Sequence, residues 1–396
     1  MSEFTQKSEK RVAALAAYLA GILNREKGRE LVEAYGIQTT RFIPADILLA
    51  FDRVMEQGPD MDELKMASNK LFNILYKTLC QYPSIEPPAN SFIDYLVRDN
   101  GGVSLLMEET KPLIKSLNRE VTEGIRTALH SRFEALQRFE SHYVIKENIL
   151  FPFIEKKWSH HQCLRLMWSF HDDIRRNIKT ALKLLQAKSF DLQAFNRVSG
   201  LVWFNIHTII FREEKVLFPL LLEQADSAEL DDMLVQAAGI GFSFTEVEMP
   251  ALPEKQSRKT HQQIHFKTGQ LTVEQTELLL NHLPVDITFV DESDTVAYFS
   301  SPKHRIFPRA TGIIGRKVQN CHPAESVDVV NRIVDSFRRG EKDEASFRIH
   351  MGSQYILIRY YAVRDEQGRF KGTLEVTQEI SGIQKMTGDR RLLDWD

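Results

Sequence analysis

The hydrophobic pattern of the chain changes once, from a helical period to an alternating one. Up to about residue 240, apolar residues recur three or four positions apart and glycine and proline are sparse, which predicts a run of helices. One helix is sharply marked over PADILLAFDRVMEQGPD, because Pro44 suits a first helical turn and Gly58 suits an end. A proline cluster then breaks the pattern, which predicts a first boundary near residues 85–100.

The rest of the chain predicts a second kind of domain. Residues 241–272 lose the apolar period and gain prolines and charges, which predicts a linker. Beyond it, VDITFVDESDTVAYFS alternates as two short strands around a turn, and SVDVVNRIVDSFRRG is typical of a helix that ends at Gly340. Three further alternating segments follow, up to Ile380. We therefore predict a multidomain chain, an all-α region followed by an α+β domain with an antiparallel sheet.

An internal repeat organises the helical region. The string KENILFP, which begins at Lys146, recurs as EEKVLFP, which begins at Glu213, at an offset of 67 residues. That offset suits two helices with their connections, so the repeat predicts a four-helix up-down bundle. We place its helices near 103–123, 126–157, 162–187 and 192–225.

Composition and charge exclude several classes of protein. The 51 basic and 54 acidic side chains give a net charge of −3, which provides no general attraction to nucleic acid. No uninterrupted apolar run is long enough to span a bilayer, and we interpret the N-terminal apolar stretch as an amphipathic helix instead of a signal peptide. Three widely spaced cysteines argue against a disulfide framework. We therefore expect a cytoplasmic protein.

Helix bundles often hold metals between inward-facing histidines and carboxylates. Such ligands share a helix face when they are three, four or seven residues apart, as His207 and Glu214 are. His142 and Glu147 are five apart, and Lys146 occupies the position four residues after His142. Iron, manganese or zinc would suit these donors. The candidate metal ligands are His142, Glu147, His171, His207 and Glu214.

Three strings, HYVIKENILFP, SFHDDIRRNIK and FREEKVLFP, resemble the hemerythrin-like, or HHE cation-binding, family. The resemblance implies a bundle over residues 95–240 and, in oxygen-binding members, two irons held by five histidines and two bridging carboxylates. This chain departs from that pattern: the family's ligand positions are occupied by Gly101, Thr110, Lys146 and Ile209. The alternative is an ion-pair network without metal, which would fix helix register. Its candidate members are Lys146 and Arg175 with Glu109, Glu213 and Glu214.

The C-terminal region, residues 273–390, resembles a PAS sensor domain. The resemblance rests on LPVDITFVDESDTVAYFS, on the Ile-Gly-Arg and Cys-His-Pro strings, and on YYAVRDEQGRFKGTLEVTQEI. It implies a ligand cavity between a curved sheet and helices. Alternation makes Phe289 and Ile358 candidates for its wall. Cys321 and His322 are candidate cofactor-binding residues, because thiol and imidazole bind haem and soft metals.

Residues 1–85 resemble a helical domain of unknown function that precedes hemerythrin-like and PAS domains in a prokaryotic family. Three functions remain open. We favour a sensor or regulator whose PAS domain binds haem or an apolar small molecule and whose bundle responds to iron, oxygen or redox state. It would act through a protein partner or self-association, such as a homodimer, because no output module is recognisable. The alternatives are a metal-dependent enzyme that handles nitric oxide, peroxide or damaged iron centres, and a cofactor-free interaction scaffold.

Overall fold

The computed structural model describes residues 3–83, 86–247 and 263–388. The chain forms two compact units, residues 1–250 and residues 251–396. The first unit is helical. Its helices are α1 (Glu3–Leu23), α2 (Gly28–Ala34), α3 (Pro44–Met55), α4 (Met61–Cys80), α5 (Phe92–Arg119), α6 (Glu123–Gln137), α7 (Glu140–Ile145), α8 (Phe151–Lys157), α9 (Cys163–Gln186), α10 (Leu192–Arg212), α11 (Phe218–Gln224) and α12 (Ser227–Ala238).

Polar caps decide where several of these helices begin. The Asp60 carboxylate accepts hydrogen bonds from two backbone N–H groups of the first turn of α4, and the Ser91 hydroxyl accepts one from the Asp94 N–H at the start of α5. Because Ser91 starts α5, this helix begins about ten residues before the predicted position near 103. The leading helices α1, α3 and α4 bury apolar faces against one another, with Leu15 and Leu19 fully buried in α1.

The four-helix bundle consists of α5, the continuous α6–α8 segment, α9 and the α10–α11 segment. The two repeat strings become turns of π-helix, Lys146–Leu150 and Glu213–Leu217. In each turn an N–H donates to the carbonyl five residues back, from Phe151 to Lys146 and from Phe218 to Glu213. The following proline has no N–H to donate to the carbonyl four residues back, so the backbone widens just before it. The predicted all-α region with a four-helix bundle is thus confirmed.

The second unit contains a five-stranded antiparallel sheet in the order β4-β3-β7-β6-β5. A two-stranded hairpin, β1 and β2, precedes it, within the segment predicted as a linker, whose residues 248–262 lie outside the described part of the chain. The predicted α+β domain with an antiparallel sheet is confirmed. Its elements are β1 (Gln263–Phe266), β2 (Gly269–Thr272), α13 (Val273–His282), β3 (Asp286–Asp291), β4 (Val296–Phe299), α14 (Ala324–Arg338), β5 (Glu344–Met351), β6 (Gln354–Arg364), β7 (Phe370–Glu379) and α15 (Ser381–Gln384).

Candidate functional site

A buried ion pair lies at the centre of the bundle. The Lys146 ammonium donates a hydrogen bond to Oε1 of Glu213, and both side chains are fully buried. The two residues are the first positions of the two repeat strings, so the pair joins equivalent points of the two halves. Burial lowers the pKa of Lys146, and Glu213 partly offsets that effect.

Glu213 has further polar neighbours. Nε2 of His142 lies 3.2 Å from its Oε2, and the Asn100 amide donates to the same oxygen over 3.2 Å. Nδ1 of His142 faces a carboxylate oxygen of Asp99 at 3.4 Å. Burial acts to raise the pKa of Glu213, but Lys146 and His142 outweigh it and hold the pKa well below its usual range. Glu213 is therefore an ionised carboxylate, neutralised by protein groups.

A second set of charges lies beside this pair. Nδ1 of His171 is 2.8 Å from Oε1 of Glu147, whose other oxygen accepts from Arg175 over 2.9 Å. Arg175 also donates to Glu140 over 2.8 Å and to Asp172 over 3.0 Å. Burial, followed by the nearby Lys146 and Arg175 cations, lowers the pKa of His171 well below its ordinary value. His171 is consequently a neutral imidazole in the folded chain.

Tyr143 connects the two sets. Its ring stacks on His171 with the centroids 4.4 Å apart, and the Lys146 ammonium lies 5.0 Å from the ring centroid. The Arg175 guanidinium lies 5.5 Å from the same centroid. Cations over an aromatic face are stabilised by its quadrupole, more so when desolvated. The Tyr143 ring thus lies close to both cations and to His171.

The predicted metal ligands do not converge. His142 contacts Glu213, whereas Glu147 and His171 contact each other. His207 lies on the exposed face of α10, under the electrostatic influence of Lys111 and Glu108, so it does not join the centre. Glu214 is half-buried and accepts a hydrogen bond from Asn100 over 3.3 Å. His207 and Glu214 therefore do not contact the same groups, although they are seven residues apart.

These residues do not fit a metal centre. Across the described ranges, no three His, Cys, Asp or Glu side chains are placed to hold one ion. Lys146 and Arg175 supply the positive charge that a metal would bring to Glu213 and Glu147. The predicted ion-pair alternative agrees with the geometry for Lys146 and Glu213, whereas Arg175 pairs with Glu147, which was predicted as a metal ligand. It does not extend to Glu109, which pairs with Arg132 at 3.0 Å.

Several residues of this centre were not predicted from the sequence. Asp99, Asn100, Glu140 and Tyr143 all contact or face it, but none belongs to the repeat strings. A signal was present for two of them, because Asp99 and Asn100 are polar residues within the apolar stripe of α5 and both are buried. Asp99 also accepts from the backbone N–H groups of Ser243 and Phe244, which fastens the segment after α12 over the bundle.

The α+β unit contains a cavity of about 320 Å³ between α14 and the sheet. Its wall is largely aliphatic. Valine and isoleucine side chains of α14 form one side, and the strands form the other. Phe347 and Ile349 lie on edge strand β5, where they are 41% and 40% exposed, so the cavity opens towards that edge. The volume lies near the lower end of ligand pockets, roughly 300–1,000 Å³.

A few polar groups interrupt this apolar wall. They include His322, Tyr360 and Glu375. Burial lowers the pKa of His322 and raises the pKa of Tyr360, so the first is a neutral imidazole and the second a neutral phenol near pH 7. Glu375 lies 3.7 Å from Arg309, which balances its charge. Hydrogen-bonding groups in an apolar cavity fix the orientation of a ligand.

Two of the four predicted cofactor-binding residues line this cavity. Ile358 and His322 do, whereas Phe289 and Cys321 are not among the lining residues. Its neighbour Val290 lines the cavity instead, and Phe289 lies over Gly372, where a Cβ would approach its ring to 2.9 Å. Cys321 packs against a small apolar cluster around Ile313.

Comparisons with known proteins agree with these two folds. Residues 91–221 match the family model of the hemerythrin HHE cation binding domain, and residues 276–381 match that of a PAS domain. The chain therefore combines an N-terminal helical region, a hemerythrin HHE cation-binding domain and a C-terminal PAS domain. A search of the curated proteins found no match. Together, the two domains support a sensory or regulatory role.

Three solved structures are similar to part of the chain. A C-terminal domain from Streptococcus mutans is 34% identical, with 32% of this chain and 97% of that chain covered and a TM-score of 0.31. A sensory box sensor histidine kinase from Vibrio cholerae is 14% identical, with 26% and 87% covered and a TM-score of 0.21. The sensor region of a sensor histidine kinase is 14% identical, with 25% and 41% covered and a TM-score of 0.19.

The sequence predicted that no segment spans a membrane, and the described helices can be compared with that prediction. None of them combines the length and the apolar character that crossing a bilayer requires.

Proposed function

We propose that this chain is a cytoplasmic sensor or regulator whose PAS domain binds a small, mainly apolar molecule. The observation that carries the proposal is the cavity of about 320 Å³ between α14 and the sheet. Filling it would remove aliphatic surface from water, which contributes roughly 25 cal/mol per Å². The cavity volume suits a compact molecule better than a porphyrin.

The polar groups narrow the chemistry of the ligand. His322 is neutral and beside Tyr360 and Glu375 in the cavity wall, so a ligand with one hydroxyl, carbonyl or similar group would find a partner. A strongly anionic ligand would lose its hydration among valines and isoleucines and would face the Glu375 carboxylate. His322 also has the character of an axial haem ligand, so haem is the second candidate, supported by that residue alone.

Output would pass to a protein partner or to a second copy of the chain. A ligand shifts a conformational equilibrium only by its differential affinity for two states. We expect edge strand β5 to carry the change, since Phe347 and Ile349 both line the cavity and reach the surface.

The test is to purify the full chain from a prokaryotic host, record its absorbance spectrum and analyse the extracted small molecules by mass spectrometry. We expect a molecule near one equivalent in the wild type, and about a tenfold loss of affinity in His322→Ala through one lost hydrogen bond. His304→Ala is the matched control, because His304 is an exposed histidine of the same domain. Val330→Trp, which fills the cavity, should abolish binding.

Each outcome decides between the candidates. A Soret band that is lost in His322→Ala would identify haem. A preparation with no bound molecule, or equal occupancy in wild type and Val330→Trp, would contradict the ligand-sensor proposal and favour the cofactor-free scaffold. The metal-dependent enzyme gains no support from the donor set at the bundle centre.

A further inference from the structure

A second buried cation lies in the helical unit, away from the Lys146–Glu213 pair. The Arg212 guanidinium is at the end of α10 and is only 4% exposed. It borders a cavity of about 40 Å³ whose other walls come from α3, α4, α9 and the second turn of π-helix. These walls are apolar apart from Ser68 and Cys163. The cavity therefore lies where the leading helices meet the bundle.

The hydrogen bonding of Arg212 is incomplete. Its Nη2 donates to the Ser68 hydroxyl over 3.1 Å and to the Asn69 side-chain oxygen over 2.7 Å. Nε and Nη1 are buried and have no hydrogen-bond partner among the described residues. A guanidinium carries five N–H donors, so three of them remain unused. Leaving charged donors buried without partners is costly.

No carboxylate neutralises this charge. Arg212 forms no ion pair in the described part of the chain, and burial lowers its pKa to about 9, which still leaves it cationic at neutral pH. The nearby Asp52 is occupied by the Gln162 backbone N–H at 2.6 Å and by His160 at 3.0 Å. Partial compensation comes from two aromatic faces, with Phe72 and Phe170 centroids 4.6 Å and 4.4 Å from the guanidinium carbon.

We infer that the cavity beside Arg212 binds a small monovalent anion, which ties the leading helices α3 and α4 to the bundle helices α9 and α10. One negative charge neutralises the guanidinium, whereas a divalent anion would leave a net charge among leucine and phenylalanine side chains. The cavity volume admits halide, nitrate, nitrite or formate and excludes nucleotides and sugar phosphates. Apolar walls favour weakly hydrated anions.

The direct test uses crystals of the full wild-type chain grown or soaked in sodium bromide. We expect an anomalous peak within hydrogen-bonding distance of Nε or Nη1 of Arg212. A cavity that contains only water, with bromide bound elsewhere or nowhere, would overturn the inference. This measurement needs no variant and so does not depend on the folding of one.

The solution test compares thermal unfolding in sodium nitrate and sodium gluconate at equal ionic strength. An anion that binds only the folded chain should raise the wild-type midpoint by roughly 3–6 °C at a tenfold excess over its dissociation constant. Arg212→Met should lose that difference. Arg197→Met is the matched control, because Arg197 lies on the same helix with an exposed side chain. Equal nitrate responses in Arg212→Met and the wild type would overturn the inference.

Discussion

The centre of the bundle is filled by paired charges, whereas the interior of the PAS domain contains an apolar cavity. At the bundle centre, Lys146 and Glu213 are fully buried and bonded to each other, and Glu147 is held by His171 and Arg175. In the PAS domain, aliphatic side chains surround open space and polar groups are few. The bundle centre supplies its own counter-charges, whereas the PAS cavity leaves room for a molecule from outside.

This difference shows that a chain can have the fold of a binding domain without having the ligand set of its binding site. Residues 91–221 match a cation-binding domain, yet the cation beside Glu213 is the Lys146 ammonium of the same chain. If this comparison holds, the bundle centre is closed to outside ligands and the PAS cavity is open to them.

The largest expected effect comes from breaking the central ion pair. Lys146→Met leaves Glu213 buried without its cation, which should lower the free energy of unfolding by about 3–5 kcal/mol. Lys146→Met combined with Glu213→Met removes both charges and should recover most of that loss. Urea unfolding followed by far-UV circular dichroism measures both.

An exposed pair provides the control for this experiment. Lys111 and Glu108 form an exposed ion pair on α5, so Lys111→Met should leave the urea midpoint nearly unchanged. If Lys146→Met were equally mild, the bundle centre would be open to water and the comparison between the two interiors would fail.

A smaller effect is expected when one side chain is enlarged in the packed bundle core or in the PAS cavity. Val202 is fully buried in α10, so Val202→Leu should overpack the bundle and cost about 1–3 kcal/mol. Val330 lines the PAS cavity, so Val330→Leu has room and should be neutral or stabilising by about 1 kcal/mol. Thermal unfolding of both variants checks the contrast. Equal destabilisation would mean that the PAS interior is as tightly packed as the bundle.

The pH dependence of the free energy of unfolding should reflect the neutral His171 imidazole of the bundle. The pKa of His171 is depressed in the folded chain, so below about pH 6.5 the unfolded chain binds a proton that the folded chain does not. Stability should therefore fall by up to about 1.4 kcal/mol per pH unit as the pH drops below about 6.5, until the carboxylates of the unfolded chain begin to titrate.

His171→Gln should reduce that slope by the contribution of one imidazole, and His161→Gln should keep it. Tryptophan fluorescence is a suitable probe, because Trp158, Trp168 and Trp203 all lie in the helical unit. An unchanged slope in His171→Gln would show that the imidazole is not the group responsible.

The smallest expected effect is that of metal removal. Since Lys146 and Arg175 neutralise the central carboxylates, a chelator should leave the unfolding midpoint of the bundle unchanged. His142→Ala and His171→Ala should likewise leave metal content unchanged, as measured by elemental analysis. Loss of metal in either variant would refute the ion-pair interpretation.

The architecture was largely readable in the sequence because it follows from periodicity. The Leu-Phe-Pro strings predicted the two paired bundle segments, and alternation with a turn at Glu292–Asp294 predicted β3 and β4. The π-helical turns were not predicted, since a Leu-Phe-Pro string is equally compatible with a regular helix. Alternation alone did not decide which face of β3 lines the cavity: Val290 does, whereas Phe289, one residue earlier, does not.

The candidate site was less readable because its partners come from distant parts of the chain. Arg175 and Lys146 were identified as cations of an ion-pair network, and the structure pairs them with Glu147 and Glu213. Spacing along one helix could not show that Glu109 would turn towards Arg132 instead. Nor could it show that Arg212 would lack an acidic partner, because that depends on how α3 and α4 cover the bundle.

The position of the Lys146–Glu213 pair within the repeat determines which of the two helical hairpins can pair with which. Lys146 and Glu213 are equivalent residues of two similar hairpins, so one hairpin carries the positive charge and the other the negative charge. Two copies of the first hairpin would bring ammonium against ammonium, and two copies of the second would bring carboxylate against carboxylate. A chain divided between the hairpins should therefore reassemble as unlike partners, in the manner of a heterodimer.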